Sequence, residues 1–257
     1  MTDDSTPGRR AEPRRGNPTR RRKTALTSPS PNTERLTAAC VLSMVGGFLD
    51  IYTYLYRGGV FANAVTGNIV LLGLNLAVTN WGACGRYLLA IFFYALGVFA
   101  SGVVQHRLAD SRRVVWHQVV LALEMLCLVA AAFIPYGELD FIVNGLISFV
   151  CAMQAQSFRL VHGLPFASTM CTGNLRSGTH ALFNHLVKKE DGELSKAFHY
   201  YLVILCFIAG AVGGALLLKE LGPFALLAAP AGLLVALLLV SSKRQLVLFR
   251  KTLFPRE

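Results

Sequence analysis

The sequence predicts an all-α polytopic membrane protein: two inverted repeats of three spans each, with one re-entrant or interfacial Thr-Gly-Asn helix per repeat. Three observations carry that prediction. The 257 residues are 54% hydrophobic and 15% charged, with mean hydropathy +0.49, against about 45–50% apolar and 25% charged residues in soluble domains. Six stretches near 36–56, 86–106, 114–134, 141–161, 197–218 and 223–242 are nearly free of charge, and each approaches the roughly 20 helical residues that cross about 30 Å of hydrocarbon. Finally, Thr-Gly-Asn occurs twice, in FANAVTGNIVLLG (61–73) and FASTMCTGNLRSG (166–178), each copy opening with Phe-Ala.

Residues 1–35 are rich in Pro, Ser, Thr, Gly and Arg. That composition cannot bury enough apolar surface to fold, so the segment reads as a disordered basic cytoplasmic tail. Its partner is anionic lipid headgroups rather than nucleic acid, despite the net charge of +11. The Arg pairs do not read as an export signal, because no small-residue cleavage site follows 36–56. The first membrane repeat is placed at 36–134 and the second at 141–242, followed by a second basic cytoplasmic tail, 243–257. GGFLDIYTYLYRGGVFANAVTGN (46–68) aligns with CAMQAQSFRLVHGLPFASTMCTGN (151–174) with one residue inserted. Each motif is followed by an apolar helix carrying a small-xxx-small step, Gly97/Ser101 and Gly210/Gly214, which lets helix backbones approach closely in lipid. Each half closes with one more apolar segment, 114–134 ending at Pro135 and 223–242 beginning near Pro223.

Lys and Arg counts set the orientation. Eight crossings would put Arg107, Arg112 and Arg113 outside, against the positive-inside rule. With six crossings the cytoplasm receives nine Lys/Arg from 1–35, three from 107–113, three from 188–196 and five from 243–257. The outside keeps only Arg57, Arg86 and Lys219. Three crossings per half turn the second half upside down, an arrangement that in secondary transporters brings discontinuous helices together near the midplane. The location expected is a bacterial-type plasma membrane with both termini cytoplasmic.

The motif supplies the candidate site. Thr66 and Thr172 are expected as N-caps, Gly67 and Gly173 permit a sharp turn, and Asn68 and Asn174 offer donors and an acceptor at the start of a half-helix. Two helix N-termini carrying partial positive charge could then face a small polar or anionic solute from opposite sides; the competing reading is that Thr-Gly-Asn merely caps a helix. Asn63 sits just ahead of the first motif. Arg176, His180 and Asn184 share one face of the second motif helix, opposite the mostly apolar Leu175, Thr179, Leu182 and Leu186. That amphipathic division suits an element packed on protein, since an Arg at the bilayer centre costs about 2.5–3.5 kcal/mol. Gly46, Asp50 and Tyr54 share a face of the first span, where an acid faces either a pathway or an Arg partner. In the matching span of the second half Gln154, Gln156 and Ser157 replace the acid. Glu124 reads as an inward-facing, hydrogen-bonded acid, with proton carriage as the alternative.

No catalytic arrangement emerges: there is no H-E-x-x-H, no G-x-S-x-G and no P-loop lysine, so a non-enzyme is expected. The six cysteines show no C-x-x-C and lie mostly in apolar segments, reading as small buried hydrophobes. Neither a metal site nor a cofactor is expected.

The two stretches GGFLDIYTYLYRGGVFANAVTGNIVLLGLNLA (46–77) and CAMQAQSFRLVHGLPFASTMCTGNLRSG (151–178) resemble the YoaK family, domain-of-unknown-function family 1275, over roughly residues 36–242. The resemblance implies a multi-pass membrane protein and names no substrate. The function expected is passage of a small solute, by transporter or channel, at the repeat interface. The alternative is a non-transporting scaffold or regulatory protein that binds a partner or lipid.

Overall fold

A computed structural model describes residues 36–108, 116–161, 164–166 and 171–241. Both basic tails, and the predicted loop cations Arg112 and Arg113, lie outside the described residues. Eight helices are described: α1 Leu36–Tyr56, α2 Val65–Ala77, α3 Trp81–Leu108, α4 Trp116–Ala132, α5 Asp140–Ser157, α6 Cys171–Leu186, α7 Glu193–Leu221 and α8 Ala228–Val240. A 3-10 segment, Gly222–Leu227, precedes α8, and the extended structure described is a two-residue antiparallel ladder, Leu160–Val161 with Leu164–Pro165.

The charge-free stretches become helices, with informative differences at their ends. Three stretches are long and apolar enough to cross a membrane: Leu36–Tyr56, Trp81–Arg107 and the 48 residues Glu193–Val240, which take in α7, the 3-10 segment and α8. Val65–Ala77 and Trp116–Ala132 are apolar but shorter. The helix expected over 141–161 stops at Ser157, and Leu160–Val161 is extended instead. The segment expected over 223–242 opens as a 3-10 turn because Gly222, at φ +56°, and Pro223 redirect the chain before α8 begins. Gly58 and Gly59, at φ +84° and +76°, likewise end α1 and turn the chain toward α2.

Helices from the two halves of the sequence interleave. α1 packs along α7, and α5 along α3; α2 lies on α3 and α6 on α7; α4 contacts α5 and α8, and α8 contacts α1. Glycine makes the closest of these approaches possible. A Cβ on Gly210 would lie 1.9 Å from the Met44 carbonyl oxygen, and one on Gly97 would lie 2.2 Å from that of Phe149. Backbone therefore touches backbone at both crossings, as small-residue steps allow. The main core is Leu42, Leu49, Leu121, Leu128, Ile147 and Leu233 with their neighbours, drawn from α1, α4, α5 and α8. Phe92 and Phe99 on α3, Leu205 and Leu216 on α7, and Leu234 on α8 point outward and are exposed. An apolar exterior around a partly polar interior suits lipid as the solvent.

Candidate functional site

The first Thr-Gly-Asn copy is held by its own side chains. Asn68 is buried, and its Oδ1 accepts from the Phe61 N–H at 2.9 Å while its Nδ2 donates to the Phe61 carbonyl at 2.7 Å. The amide thus pairs with the Phe61 peptide as a neighbouring strand would, clamping the chain seven residues back. Gly67 is needed beneath this clamp, since a Cβ there would lie 3.0 Å from the Phe61 ring. Tyr54 of α1, itself exposed, stacks on that ring at 4.6 Å. Thr66 does not cap the helix: α2 begins at Val65 after Ala64, with no side-chain cap bond, and Thr66 is an exposed residue of the first turn.

Asp50 anchors the same loop from below. Its Oδ1 accepts from the Asn63 N–H at 2.6 Å, and the amides of Ala62 and Ala64 are also turned toward it. Asn63 Nδ2 in turn donates to the Gly46 carbonyl at 3.2 Å. So Asp50 and Asn63, 13 residues apart, form one buried unit joining α1 to the entry of α2, and the acid's described partners are amides rather than Arg159 or Arg176. In the other half Gln154 ties α5 to α1 through the Leu42 carbonyl at 3.3 Å, and Ser157 meets Ser101 of α3 at 3.1 Å.

The second copy is built differently. α6 begins at Cys171, so Thr172 too falls inside the first turn, and Thr172 and Gly173 are exposed. The buried face of α6 is Asn174, Gly178, Ala181 and Asn184, with Gly178 seated against Tyr200 and Tyr201 of α7. Arg176 and His180 are exposed and so are Leu175, Phe183 and Leu186. The packed face is therefore the small, amide-bearing one, not the Leu face, because α7 comes too close at Gly178 for large side chains. Arg176 is not among the hydrogen-bond partners described for Asp50. Residues 167–170, which lead into this copy, lie outside the described residues.

Two further polar features stand out. Arg57 is fully buried, and all five of its N–H donors are used: two on the Tyr52 hydroxyl, one on Asp140 at 2.8 Å, and one each on the Ile134 and Pro135 carbonyls. Asn144 donates to the Arg57 carbonyl at 2.6 Å. Arg57, counted in the sequence among the outside cations, is thus a buried rivet between the end of α1 and the start of α5. The second feature is a set of buried oxygens with no hydrogen-bond partner among the described residues: Asn63 Oδ1, the Tyr94 hydroxyl, both Glu124 oxygens, Asn144 Oδ1 and Ser148 Oγ. Glu124 faces inward as expected, but without the hydrogen bond expected of it. One signal was available in sequence: Asn144, Ser148 and Cys151 recur at i, i+4, i+7 on α5, which places them on one face.

Residues 38–240, nearly the whole described region, match the family described as protein of unknown function (DUF1275). The chain belongs to the DUF1275 family. It is similar to the UPF0700 transmembrane protein YoaK of Bacillus subtilis (strain 168), with 26% identity over 186 residues, covering 69% of this chain and 81% of that protein. No solved structure matches the chain. The match of this DUF1275 protein to a transmembrane relative agrees with its outward apolar helices: it is an integral membrane protein.

Proposed function

We propose that the protein passes a small polar solute across the plasma membrane between its two halves. The observation that carries this is the set of buried oxygens without a hydrogen-bond partner among the described residues, on the loop after α1 and on α3, α4 and α5, inside a shell of outward apolar side chains. Buried polar groups are almost always paired, by protein or by water, and irregular or polar structure at membrane depth persists where it lines a watery cavity. Oxygen acceptors in this number have a use when water or a solute hydroxyl or N–H fills them in turn.

The arrangement of helices supports two inverted halves of three crossings each: α1, α3 and α4 in the first, α5, α7 and α8 in the second. α1 lies on α7 as α5 lies on α3, each across to the other half. Aligning 46–68 with 151–174 pairs Met44 with Phe149, and these are the residues whose carbonyls meet Gly210 and Gly97. α2 and α6, with 13 and 16 residues, rise only about 20 and 24 Å at 1.5 Å per residue, which favours re-entrant or interfacial helices over crossings, whereas α8, also 13 residues, crosses together with the six-residue 3-10 segment before it, which adds about 12 Å at about 2 Å per residue. Asn68 serves as a clamp of this frame, and the solute route is assigned to the interior beside Asp50 and Asn63. Both termini are assigned to the cytoplasm on the Lys/Arg count.

The test is stopped-flow light scattering of proteoliposomes challenged with a panel of small polyols, amino acids, and organic cations and anions. At least one solute should enter faster than into protein-free liposomes, and Ser148→Phe should remove the excess. Entry at the protein-free rate for every solute would contradict the proposal.

A further inference from the structure

Cys40 of α1 and Cys206 of α7 are hydrogen-bonded to each other through their thiols. The packing of the two helices brings them together. α1 and α7 run parallel: the Ser43 hydroxyl donates to the Val203 carbonyl at 3.0 Å, Gly47 abuts the Phe207 carbonyl, and Gly214 abuts Ile51. The tightest point of the crossing joins Met44 to Gly210, where backbone touches backbone. Cys40 lies one turn before Met44, and Cys206 one turn before Gly210. In a parallel pair, one turn back on both helices is one level of the same interface. The crossing of α5 on α3 is built alike. Gly145 and Phe93 stand one turn before the touching Phe149 and Gly97, and a Cβ on Gly145 would lie 2.9 Å from the Phe93 ring. Helices in backbone contact one turn away can reach the roughly 4.4–6.8 Å Cα spacing that a disulfide spans.

Both cysteines are free and only half-buried, unlike Cys151, which the core encloses. Leu205 and Ile208, on either side of Cys206, are exposed, and so is Met44, one turn from Cys40. The thiol pair therefore stands at the lipid margin of the interface, where an oxidant arrives dissolved in lipid. We propose that Cys40 and Cys206 are an oxidisable pair, which an organic hydroperoxide of the kind formed on lipid chains converts to a disulfide stapling α1 to α7. One sulfur takes the terminal OH of the peroxide: the O–O bond breaks, the alcohol leaves with that thiol's proton, and a sulfenic acid remains. The second sulfur then attacks the first, the S–S bond forms, and the hydroxyl leaves as water with the second thiol's proton. Two electrons pass from the two sulfurs to the peroxide. Because the second thiol already touches the first, the disulfide closes ahead of further oxidation. The staple joins the first half of the sequence to the second at a crossing that is already in contact.

The test exposes wild-type protein in proteoliposomes to cumene hydroperoxide and then caps the remaining thiols with N-ethylmaleimide in SDS. Mass spectrometry should find the Cys40 and Cys206 peptides joined, two hydrogens lighter than their sum, in a chain that still migrates as a monomer. Dithiothreitol should release them. Cys40→Ser and Cys206→Ser should each abolish the link, and at least one of them should accumulate a sulfenic acid that dimedone traps at the remaining thiol. Hydrogen peroxide at the same concentration, arriving from water, should form the link more slowly. Recovery of both thiols capped after cumene hydroperoxide, or a link from either to a different cysteine, would overturn the pair. A link formed as fast by hydrogen peroxide would overturn the lipid-borne oxidant. Where a serine variant fails to fold, the wild-type peptides decide the matter alone.

Discussion

Arg57→Met tests whether the buried rivet between α1 and α5 holds the fold. Methionine keeps an apolar stem of similar length and removes all five donors. Asp140, whose side chain is only 12% exposed, then loses its cation, and the Tyr52 hydroxyl and the Ile134 and Pro135 carbonyls lose their donor as well. Breaking a buried pair by removing one partner costs about 3–5 kcal/mol, because an uncompensated charge is left behind. The assay is equilibrium unfolding in mild-detergent micelles titrated with SDS. Arg57→Lys should fall between wild type and Met, since an ammonium can pair with Asp140 but cannot supply a planar fork to four acceptors. Arg57→Met with Asp140→Leu should be less destabilised than Arg57→Met alone, because no buried carboxylate remains. A loss below about 1 kcal/mol, the scale of an exposed pair, would refute the assignment.

Gly210→Ala should destabilise by about 1–3 kcal/mol despite alanine's better helix propensity, because its Cβ would lie 1.9 Å from the Met44 carbonyl oxygen. Gly213→Ala, with nothing within 4 Å, should be neutral or stabilising by up to about 1 kcal/mol in the same SDS titration. Asn68→Ala should lower the melting temperature and cost about 1–3 kcal/mol by orphaning the Phe61 N–H and carbonyl; unchanged stability would return Asn68 to the list of ligand contacts. For topology, single-cysteine variants in a background lacking native cysteines should label with an impermeant maleimide from outside at Glu138→Cys and only after permeabilisation at Glu190→Cys. The reverse pattern would invert the assigned orientation.

Much of the frame was legible because hydrocarbon demands long uncharged helices, and α1, α3 and α7 follow from that alone. The ends were less legible. Whether a helix stops at Ser157 or runs to 161 depends on Leu160–Val161 pairing with Leu164–Pro165, which hydropathy does not register. Thr66 was misplaced by two residues because Ser/Thr capping preference is a tendency, and here Ala64 precedes the helix while Asn68 clamps the loop instead. The role of Arg57 was not legible for a deeper reason: its partner Asp140 lies 83 residues away, and a count of Lys and Arg on each side of the membrane says nothing of burial. That α6 packs on protein was readable, as its contact with α7 bears out; which face packs was not, since burial there follows the close approach of α7 at Gly178 rather than side-chain hydropathy. The burial of Asp50 and Glu124 could be read from their apolar surroundings. That one is met by amides and the other is not requires the fold.

The central claim, a hydrated polar interior between the halves, is tested most directly by one accessibility measurement. Ser148→Cys, in a background lacking native cysteines and kept in native membranes, should react with a small charged methanethiosulfonate, which modifies thiols in water and not in lipid or dry protein. Leu234→Cys on the exposed apolar face of α8 should remain unreactive. Reaction at Ser148→Cys, slowed by Asn144→Phe one turn away on the same helix face, is the predicted result. A Ser148→Cys as inert as Leu234→Cys would mean that the interior is dry and would contradict the account.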